Sequence, residues 1–211
     1  MDQMITLVIL IFSAIVHEVM HGVVAEKLGD NTARLEGRIT LNPIPHIDPF
    51  GSMLLPLILL LAHSPVILGA AKPVPVNFSN LRNPRLGMAL VSLAGPLSNI
   101  LLAILFILPI KLGLVTSFSY DILLKAIGVN VALGIFNIIP IPPLDGSKIV
   151  AAFLPRYWLY RFLEWERFGF ILIFIFLYLG ILGSIFVPAL LGFAGLFNLN
   201  ISDLIKALSG N

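Results

Sequence analysis

The sequence contains no cysteine among its 211 residues, and only 11% of its residues are charged. Without cysteine there is neither a disulfide nor a thiolate metal ligand, so a zinc site must be built from histidine, aspartate or glutamate. The basic residues form no stripe with interleaved aromatics, which argues against a nucleic-acid partner. No basic segment precedes the first apolar run, so the N-terminus does not have the pattern of a signal peptide.

Apolar residues are what the sequence has in abundance, at 58% of the chain with a mean hydropathy of +1.02. A soluble domain of this length could not bury so much apolar surface, and the pattern predicts a polytopic membrane protein. We expect spans over residues 4–28, 86–112 and 122–139. Residues 168–199 can form two short spans or one long tilted span.

Two segments break this simple helical pattern. Residues 32–41 alternate loosely between apolar and polar side chains around Gly37, which predicts small β strands with an exposed edge. Residues 53–71 are apolar but interrupted by Pro56 and Pro65, which favours a re-entrant hairpin over a full span. The predicted fold class is an all-α polytopic membrane protein. It has a core of three transmembrane helices, a re-entrant hairpin, small β strands after the first helix, and one or two C-terminal helices.

The first span contains His17-Glu18-Val19-Met20-His21. Histidines four residues apart lie on one face of a helix and can hold one zinc ion between them. The adjacent Glu18 has the position of a general base for a metal-bound water. Three polar residues within one turn of an apolar span cost several kcal/mol unless something partners them, so the motif predicts a metal site.

A catalytic zinc takes a third protein ligand and leaves one position for water. Asp145 is the best-placed third ligand because it follows a span broken by prolines, so its carboxylate can turn back toward the histidines. An aspartate before a glycine is also a common turn residue, and that reading stands against it. The other candidates in the sequence are His46, Asp48, His63, Asp121 and Glu164.

Two asparagines lie inside predicted spans. Asn137 is two turns before Asp145, where its amide could orient a substrate carbonyl or stabilise an oxyanion. A hydrogen bond between helices explains it equally well. Asn99 allows the same two interpretations, and the nearby Gly95 and Ser98 favour close helix packing.

Charge asymmetry predicts the topology. If Asp145 joins His17 and His21, the hairpin topology gathers most of the basic residues on one side of the membrane. The positive-inside rule places that side, with the metal, in the cytosol. The residues on this side are Lys27, Arg34, Arg38, Lys72, Arg82, Arg85, Lys148, Arg156, Arg161 and Arg167, against Lys111 and Lys125 on the other.

The chain resembles the site-2 proteases, a family of intramembrane zinc metalloproteases. The first matching motif is His17–His21, and the second runs from Asn137 to Gly146 and resembles the family signature NxxPxxPxDG. Shorter similarities between these motifs indicate the short bacterial and archaeal type, without a PDZ or CBS domain. The match covers roughly residues 15–149. The chain differs from some members in having no span before the His17–His21 helix.

This resemblance implies one Zn²⁺ per chain, held by His17, His21 and Asp145, with Glu18 catalytic and Asn137 assisting. It implies one intramembrane metalloprotease domain over residues 1–211, with a catalytic core over 4–154 and C-terminal membrane helices over 167–200. The expected substrates are transmembrane segments of membrane proteins in the bacterial or archaeal cell membrane. Their cleavage would serve regulated proteolysis or clearance of remnants such as signal peptides. The sequence leaves open a regulatory membrane partner or a homo-oligomer.

A substrate helix must unwind locally before it can be cut. An edge strand near residues 34–41, or the extended residues 72–77, could hold the unwound chain by strand addition. Substrates with Gly, Pro or Asn near the scissile bond should then be favoured.

Three other functions are compatible with parts of the pattern. A cation-coupled transporter or ion pathway would use the intramembrane His, Glu and Asp side chains to bind cations. A membrane zinc protease acting on soluble or unfolded chains would recruit a downstream glutamate such as Glu164 as its third ligand. A non-enzymatic zinc scaffold would close its site with a fourth protein ligand.

Overall fold

The computed structural model describes residues 2–48 and 72–209, which form helices joined by turns. The helices, numbered in chain order, are α1 Asp2–Leu28, α2 Thr32–Leu35, α3 Pro84–Lys111, α4 Ser117–Ile138, α5 Asp145–Phe153, α6 Arg156–Glu164, α7 Gly169–Tyr178, α8 Ile181–Leu196 and α9 Ile201–Ser209. Short 3-10 turns occur at Ile44–His46, Phe78–Asn80 and Trp165–Phe168.

Three of these helices are long and apolar enough to cross a membrane. They are α1 from Gln3, α3 and α4, with mean hydropathies of 2.1, 2.2 and 1.6. The N-terminal half of α1 turns large apolar side chains outward, and Met4, Val8 and Phe12 are 65%, 49% and 50% exposed. Such a contiguous apolar surface suits lipid rather than water. The membrane-spanning core is therefore built from α1, α3 and α4.

Local sequence signals fix where α3 and α4 begin and end. The Asn83 side chain accepts a hydrogen bond from the Leu86 N–H, and Pro84 occupies the first turn of α3. Thr116 and Ser119 form a reciprocal capping box at the start of α4. At the other end of α4, Ile139 is extended before Pro140, because a residue before proline avoids the helical region. This break lets the chain turn and restart as α5 at Asp145.

Helix α3 is the centre of the packing, since it contacts α1, α4 and α5. A shared apolar core joins α3 and α4 to the C-terminal helices α8 and α9. Its buried members are Ala103, Ile107, Leu124, Ile127, Val131, Leu190, Ala194 and Leu204. The Arg82 N–H donates to the Leu28 carbonyl over 3.0 Å, so the end of α1 and the start of α3 lie at one end of the bundle.

The C-terminal helices α7 and α8 form a sharply bent pair. Their axes differ by 76°, and the break falls at Gly180, whose φ of 72° lies in the left-handed region that favours glycine. By length and composition the pair is a broken span or a re-entrant loop. At the end of α8, the Asn198 carbonyl accepts a hydrogen bond from Lys111, at the last residue of α3. The C-terminal helices thus reach the end of the bundle opposite to Leu28.

The prediction of small β strands over residues 32–41 is wrong. Within the two described ranges the chain contains no strand, and Thr32–Leu35 forms the single turn of α2. Gly37 adopts a left-handed φ of 64°, and the Arg38 N–H donates back to the Ala33 carbonyl over 2.8 Å. The backbone groups that a strand would offer to a neighbour are therefore used locally. The predicted re-entrant hairpin over residues 53–71 lies outside the described residues.

Candidate metal centre

The centre begins on α1, which places His17 and His21 on one helical face. Their ring centroids are 4.7 Å apart, and the two residues are only 6% and 8% exposed. The same face carries Ser13 one turn earlier, also buried. The C-terminal half of α1 therefore buries a polar face in the protein, in contrast to its lipid-facing N-terminal half.

Asp145 joins the two histidines from the first turn of α5. Its Oδ2 lies 3.0 Å from Nε2 of His17 and 3.2 Å from Nε2 of His21. Gly146 makes this approach possible, because a Cβ at that position would overlap the Ile138 carbonyl at the end of α4. The proline break and the glycine together bring α5 back against α4 and aim the carboxylate at α1.

The outer nitrogen of each imidazole contacts an oxygen that can only accept a hydrogen bond. Nδ1 of His17 is 2.6 Å from Oδ1 of Asn99, and Nδ1 of His21 is 2.7 Å from the Val91 carbonyl. Both Nδ1 atoms therefore carry the proton in the neutral ring, and both Nε2 atoms present a lone pair to the Asp145 carboxylate. Two lone pairs and a carboxylate repel one another unless a metal ion or a proton on an Nε2 atom lies among them.

These three side chains fit zinc in donor type and spacing. Their ligand atoms all lie within 4.8 Å of one another. A tetrahedral zinc with ligands at about 2.05 Å requires about 3.3 Å between ligand atoms, close to the spacing between Asp145 and each histidine. A Cβ on Gly95 of α3 would lie 2.5 Å from Nε2 of His21 and 2.6 Å from Nε2 of His17. The absent side chain thus keeps the space beside both nitrogens open.

Glu18 lines the same cavity as His17, His21 and Asp145, and its carboxylate contacts the backbone of residues 72–77. Its Oε2 accepts a hydrogen bond of 2.8 Å from the Val74 N–H, in the segment of residues 72–77 that precedes the Phe78–Asn80 turn. A cavity of about 250 Å³ connects Glu18, both histidines and Asp145, and Asn137 also lines it. The cavity is slightly smaller than typical small-molecule sites of about 300–1,000 Å³, and the side chains of Glu18, both histidines and Asp145 all line it.

The structure brings together some of the predicted site residues and leaves others apart. His17, His21 and Asp145 form one group, and Glu18 and Asn137 line the same cavity. The Asn137 amide donates to the Leu133 carbonyl of its own helix over 3.0 Å and does not touch the group. The other third-ligand candidates are not part of this group. His46 contacts the Thr40 carbonyl, and Asp121 and Glu164 are exposed. Asp48 is not among the residues whose ligand atoms lie together. His63 is outside the described residues.

Asn99 contacts a residue of the centre directly, which its sequence context did not indicate. The sequence favoured a role in close helix packing, and the structure places its side-chain oxygen against His17. One signal was present, since Asn99 is four residues after Gly95 and so lies on the same face of α3. The sequence contained no such signal for the Val91 carbonyl that contacts His21, because every residue type has a backbone carbonyl.

A membrane bundle with a zinc-compatible group of two histidines and a carboxylate beside a glutamate defines a membrane metalloprotease as a class. Comparison with known proteins agrees. The model of "Peptidase family M50" matches residues 109–179, which include the segment from Asn137 to Asp145. "Putative zinc metalloprotease YwhC" of Bacillus subtilis is 40% identical over 186 residues, covering 83% of this chain and 80% of that protein.

A second relative is more distant. "Putative zinc metalloprotease Rip2" of Mycolicibacterium smegmatis is 29% identical over 143 residues, covering 64% of this chain and 52% of that protein. No solved structure gives a significant match. The chain belongs to peptidase family M50, the site-2 protease family, and resembles its short bacterial type.

Family and structure together establish the location, the cofactor and the class of activity. The protein is a multi-pass membrane protein, as predicted, and its cofactor is zinc. It is an intramembrane protease, and a membrane-embedded protease acts on membrane-protein substrates within the bilayer. The transporter alternative is not favoured.

Proposed function

We propose that this protein is a zinc metalloendopeptidase that hydrolyses peptide bonds within or near transmembrane segments of membrane proteins. One observation carries the proposal. His17, His21 and Asp145 lie together in the lining of a cavity that Glu18 also lines, and both histidines and Glu18 belong to a membrane-length helix. Three ligands leave one coordination position free, as a catalytic zinc requires.

In this mechanism His17, His21 and Asp145 hold the zinc ion. Bound zinc supplies Lewis acidity, which makes water a better nucleophile at neutral pH and polarises the peptide carbonyl. Glu18 accepts the proton of the attacking water through a carboxylate oxygen and later delivers it to the leaving amide nitrogen. The Val74 N–H contacts Glu18 at Oε2, which leaves Oε1 available for the proton.

Asn137 assists by donating its amide to the oxygen on which negative charge develops. Its Nδ2 donates to the Leu133 carbonyl in this structure, and the residue lines the cavity. A side-chain rotation or a second N–H of the same amide is enough to serve the substrate, since the amide has two donors.

The segment of residues 72–77 holds the unwound substrate. Pro73 and Pro75 keep it extended, and the Arg38 guanidinium donates to the Lys72 carbonyl over 2.8 Å and to the Pro73 carbonyl over 3.2 Å. An extended peptide can pair with such a segment only after leaving its own helix. Substrate spans with Gly, Pro or Asn near the scissile bond are therefore cut preferentially. The reaction serves regulated proteolysis or the removal of membrane remnants such as signal peptides.

The protein acts as one domain over residues 1–211, with its catalytic core in residues 4–154. The centre faces the cytosol of a bacterium or archaeon, which the basic residues near that end of the bundle support. Lys125, which the count places on the opposite side, is buried within α4 at 7% exposure. Lys111 of α3 and Lys206 of α9 also belong to the opposite side, so the ten basic residues of the first side still outnumber those opposite.

The test is cleavage of a panel of single-span substrates in detergent by wild type, Glu18→Gln and Glu26→Gln. Glu26 makes a matched control because it is on the same helix and pairs with Arg34 away from the cavity. We expect wild type and Glu26→Gln to cut within the span, and Glu18→Gln to be slower by about 10²–10⁴-fold. All three proteins should keep about one zinc per chain.

Cleavage by Glu18→Gln at the wild-type rate would contradict the role of Glu18. Loss of zinc from Glu18→Gln would show that the glutamate holds the metal instead of moving a proton. Absence of zinc from wild type prepared with added zinc would contradict the assigned ligands.

A further inference from the structure

Two asparagines are completely buried in the membrane-spanning core. Asn99 of α3 and Asn130 of α4 are both 0% exposed, and Ser13 of α1, next to them, is 5% exposed. An amide without partners in such surroundings costs several kcal/mol. The three side chains come from three different spans, and Asn130 has no part in the mechanism described above.

Both N–H groups and the oxygen of the Asn130 amide are hydrogen-bonded. Its Nδ2 donates to the Ala126 carbonyl and to the Ser13 hydroxyl, each over 2.9 Å. Its Oδ1 accepts from Nδ2 of Asn99 over 2.9 Å. The second N–H of Asn99 points to the Ser13 carbonyl at 3.3 Å, and Oδ1 of Asn99 is left to face His17. The bonds form a continuous chain from α4 to the imidazole.

Backbone carbonyls set the direction of this chain. The Ala126 carbonyl can only accept, so the NH₂ group of Asn130 must face it and the oxygen must face Asn99. Asn99 then has to present its own NH₂ group, which the Ser13 carbonyl also requires. Oδ1 of Asn99 is consequently turned toward His17 and can only accept from Nδ1. A reversed Asn99 amide would place the ring proton on Nε2, the atom that faces Asp145.

We infer that Asn130 is a positioning residue that acts through Asn99 to keep Nε2 of His17 unprotonated and aimed at the zinc ion. The inference rests on the ligand set proposed above. His21 needs no such chain, because the Val91 carbonyl fixes its Nδ1 directly. Partners of metal-bound histidines typically change metal affinity by about 10–100-fold when they are removed.

The test compares zinc affinity, measured by competition with a chelator in detergent, among variants of α4. Asn130→Leu removes both the acceptor for Asn99 and the donor to Ala126, and should weaken zinc binding by about 10–100-fold. Asn130→Asp should stay close to wild type. Burial keeps its carboxyl neutral, so its hydroxyl donates to Ala126 and its carbonyl oxygen accepts from Asn99.

Tyr120→Phe is the matched control on the same helix. It removes a 3.2 Å hydrogen bond to Asp203 of α9 and so loosens α4 without touching the centre. We expect a lower unfolding temperature and unchanged zinc affinity. The absorption spectrum of the cobalt-substituted protein should change in Asn130→Leu and stay unchanged in Tyr120→Phe, because only the former alters the histidine that coordinates the metal.

A double-mutant cycle separates positioning from general packing. If Asn130 acts through Asn99, Asn130→Leu should weaken zinc binding no further once Asn99→Ala is present. Additive effects of the two changes would overturn the inference, as would an unaltered zinc affinity in Asn130→Leu. Where Asn130→Leu does not fold, Asn130→Ala takes its place under the same criteria. A wild type that binds no zinc overturns the ligand set itself, whereas unchanged Asn130 variants of a zinc-binding wild type overturn only this inference.

Discussion

The two sides of the candidate centre are built differently. On the side proposed to face zinc, called the zinc-facing side, His17 and His21 of α1 lie against Asp145 of α5, and the outer nitrogen of each histidine has a buried acceptor. On the side proposed to face the peptide, called the peptide-facing side, Glu18 accepts from the Val74 N–H in an extended segment, and the Asn137 side chain hydrogen-bonds to its own helix. The first side thus consists of two buried histidines and a partly buried carboxylate on packed helices, while the second consists of one carboxylate and one amide with partners close in the fold.

This difference matches what each side would do in the proposed reaction. Zinc requires ligand atoms within a few tenths of an ångström of fixed positions, and packed helices provide such positions. A peptide must enter, be held extended and leave, so its side of the site needs backbone groups that can pair and release. Changes on the zinc-facing side should therefore alter metal binding, and changes on the peptide-facing side should alter turnover with zinc retained.

The largest effect should be that of Gly95→Ala on zinc affinity. The added Cβ would lie within 2.6 Å of Nε2 of both histidines, so α3 or the rings must shift. We expect zinc affinity to fall by about 100-fold or more, measured by chelator competition. Gly192→Ala in α8 is the control, since no atom lies within 4 Å of a Cβ there. Equal zinc affinity in the two variants would show that α3 does not limit the metal space.

The next largest effects should come from replacing one asparagine on each side of the centre by alanine. Asn137→Ala should lower kcat by about 10²–10³-fold and keep zinc, because it removes a donor to the developing oxyanion. Asn99→Ala should lower zinc affinity by about 10–100-fold, because it removes the partner of His17. Cleavage kinetics at saturating zinc and chelator competition distinguish them. The same changes in kcat and in zinc affinity for both variants would contradict a difference between the two sides.

A smaller effect is expected at Val74. Val74→Pro deletes the N–H that holds Glu18, in a segment already extended between Pro73 and Pro75. A hydrogen bond to a charged group contributes about 1.5–3 kcal/mol, so turnover should fall by about 10–100-fold with zinc affinity unchanged. Val74→Ala keeps the N–H and reports the effect of the side chain alone. If the two variants cleave equally well, the N–H does not position Glu18.

The smallest effect on the centre itself should come from Asp30, which lies beyond the end of α1 and anchors the segment of residues 72–77. This buried carboxylate accepts from the Asn77 N–H over 2.7 Å and from the Asn80 amide over 2.9 Å. Asp30→Asn should lower the free energy of unfolding by about 1.5–3 kcal/mol near neutral pH, because an amide cannot accept all these bonds. Zinc affinity should be unchanged, and thermal unfolding provides the measurement.

The contribution of Asp30 should also depend on pH. Burial acts to raise the pKa of Asp30, but hydrogen bonds from Thr32, Asn80 and Asn77 outweigh it and hold the pKa below its ordinary 3.8. A lowered folded-state pKa stabilises the protein above 3.8, and this stabilisation is lost as the pH falls through the folded value. The stability difference between wild type and Asp30→Asn should therefore shrink in acid. A difference that stayed constant down to acid unfolding would contradict the assignment.

Hydropathy located the three membrane helices to within about five residues at each end, because a bilayer requires about 20 apolar residues in succession. The strands over residues 32–41 were mispredicted because a local turn at Gly37 used the backbone groups that the alternation assigned to a ladder. The alternation of apolar and polar residues does not show whether the backbone groups bond locally or to a neighbouring strand, since a turn and a strand accept the same side chains.

For the candidate site, the sequence by itself determined the residue types and their helical spacing. His17 and His21 share a face because the α-helix repeats every 3.6 residues, and the prolines before Asp145 must end the preceding helix. Their role as zinc ligands stays a prediction, as does that of Glu18. Only the tertiary structure decided which groups surround them: the Val91 carbonyl, the missing side chain of Gly95, and the chain from Asn130 through Asn99. These depend on how α3 and α4 lie against α1, and contacts between distant helices arise from packing geometry that no single segment specifies.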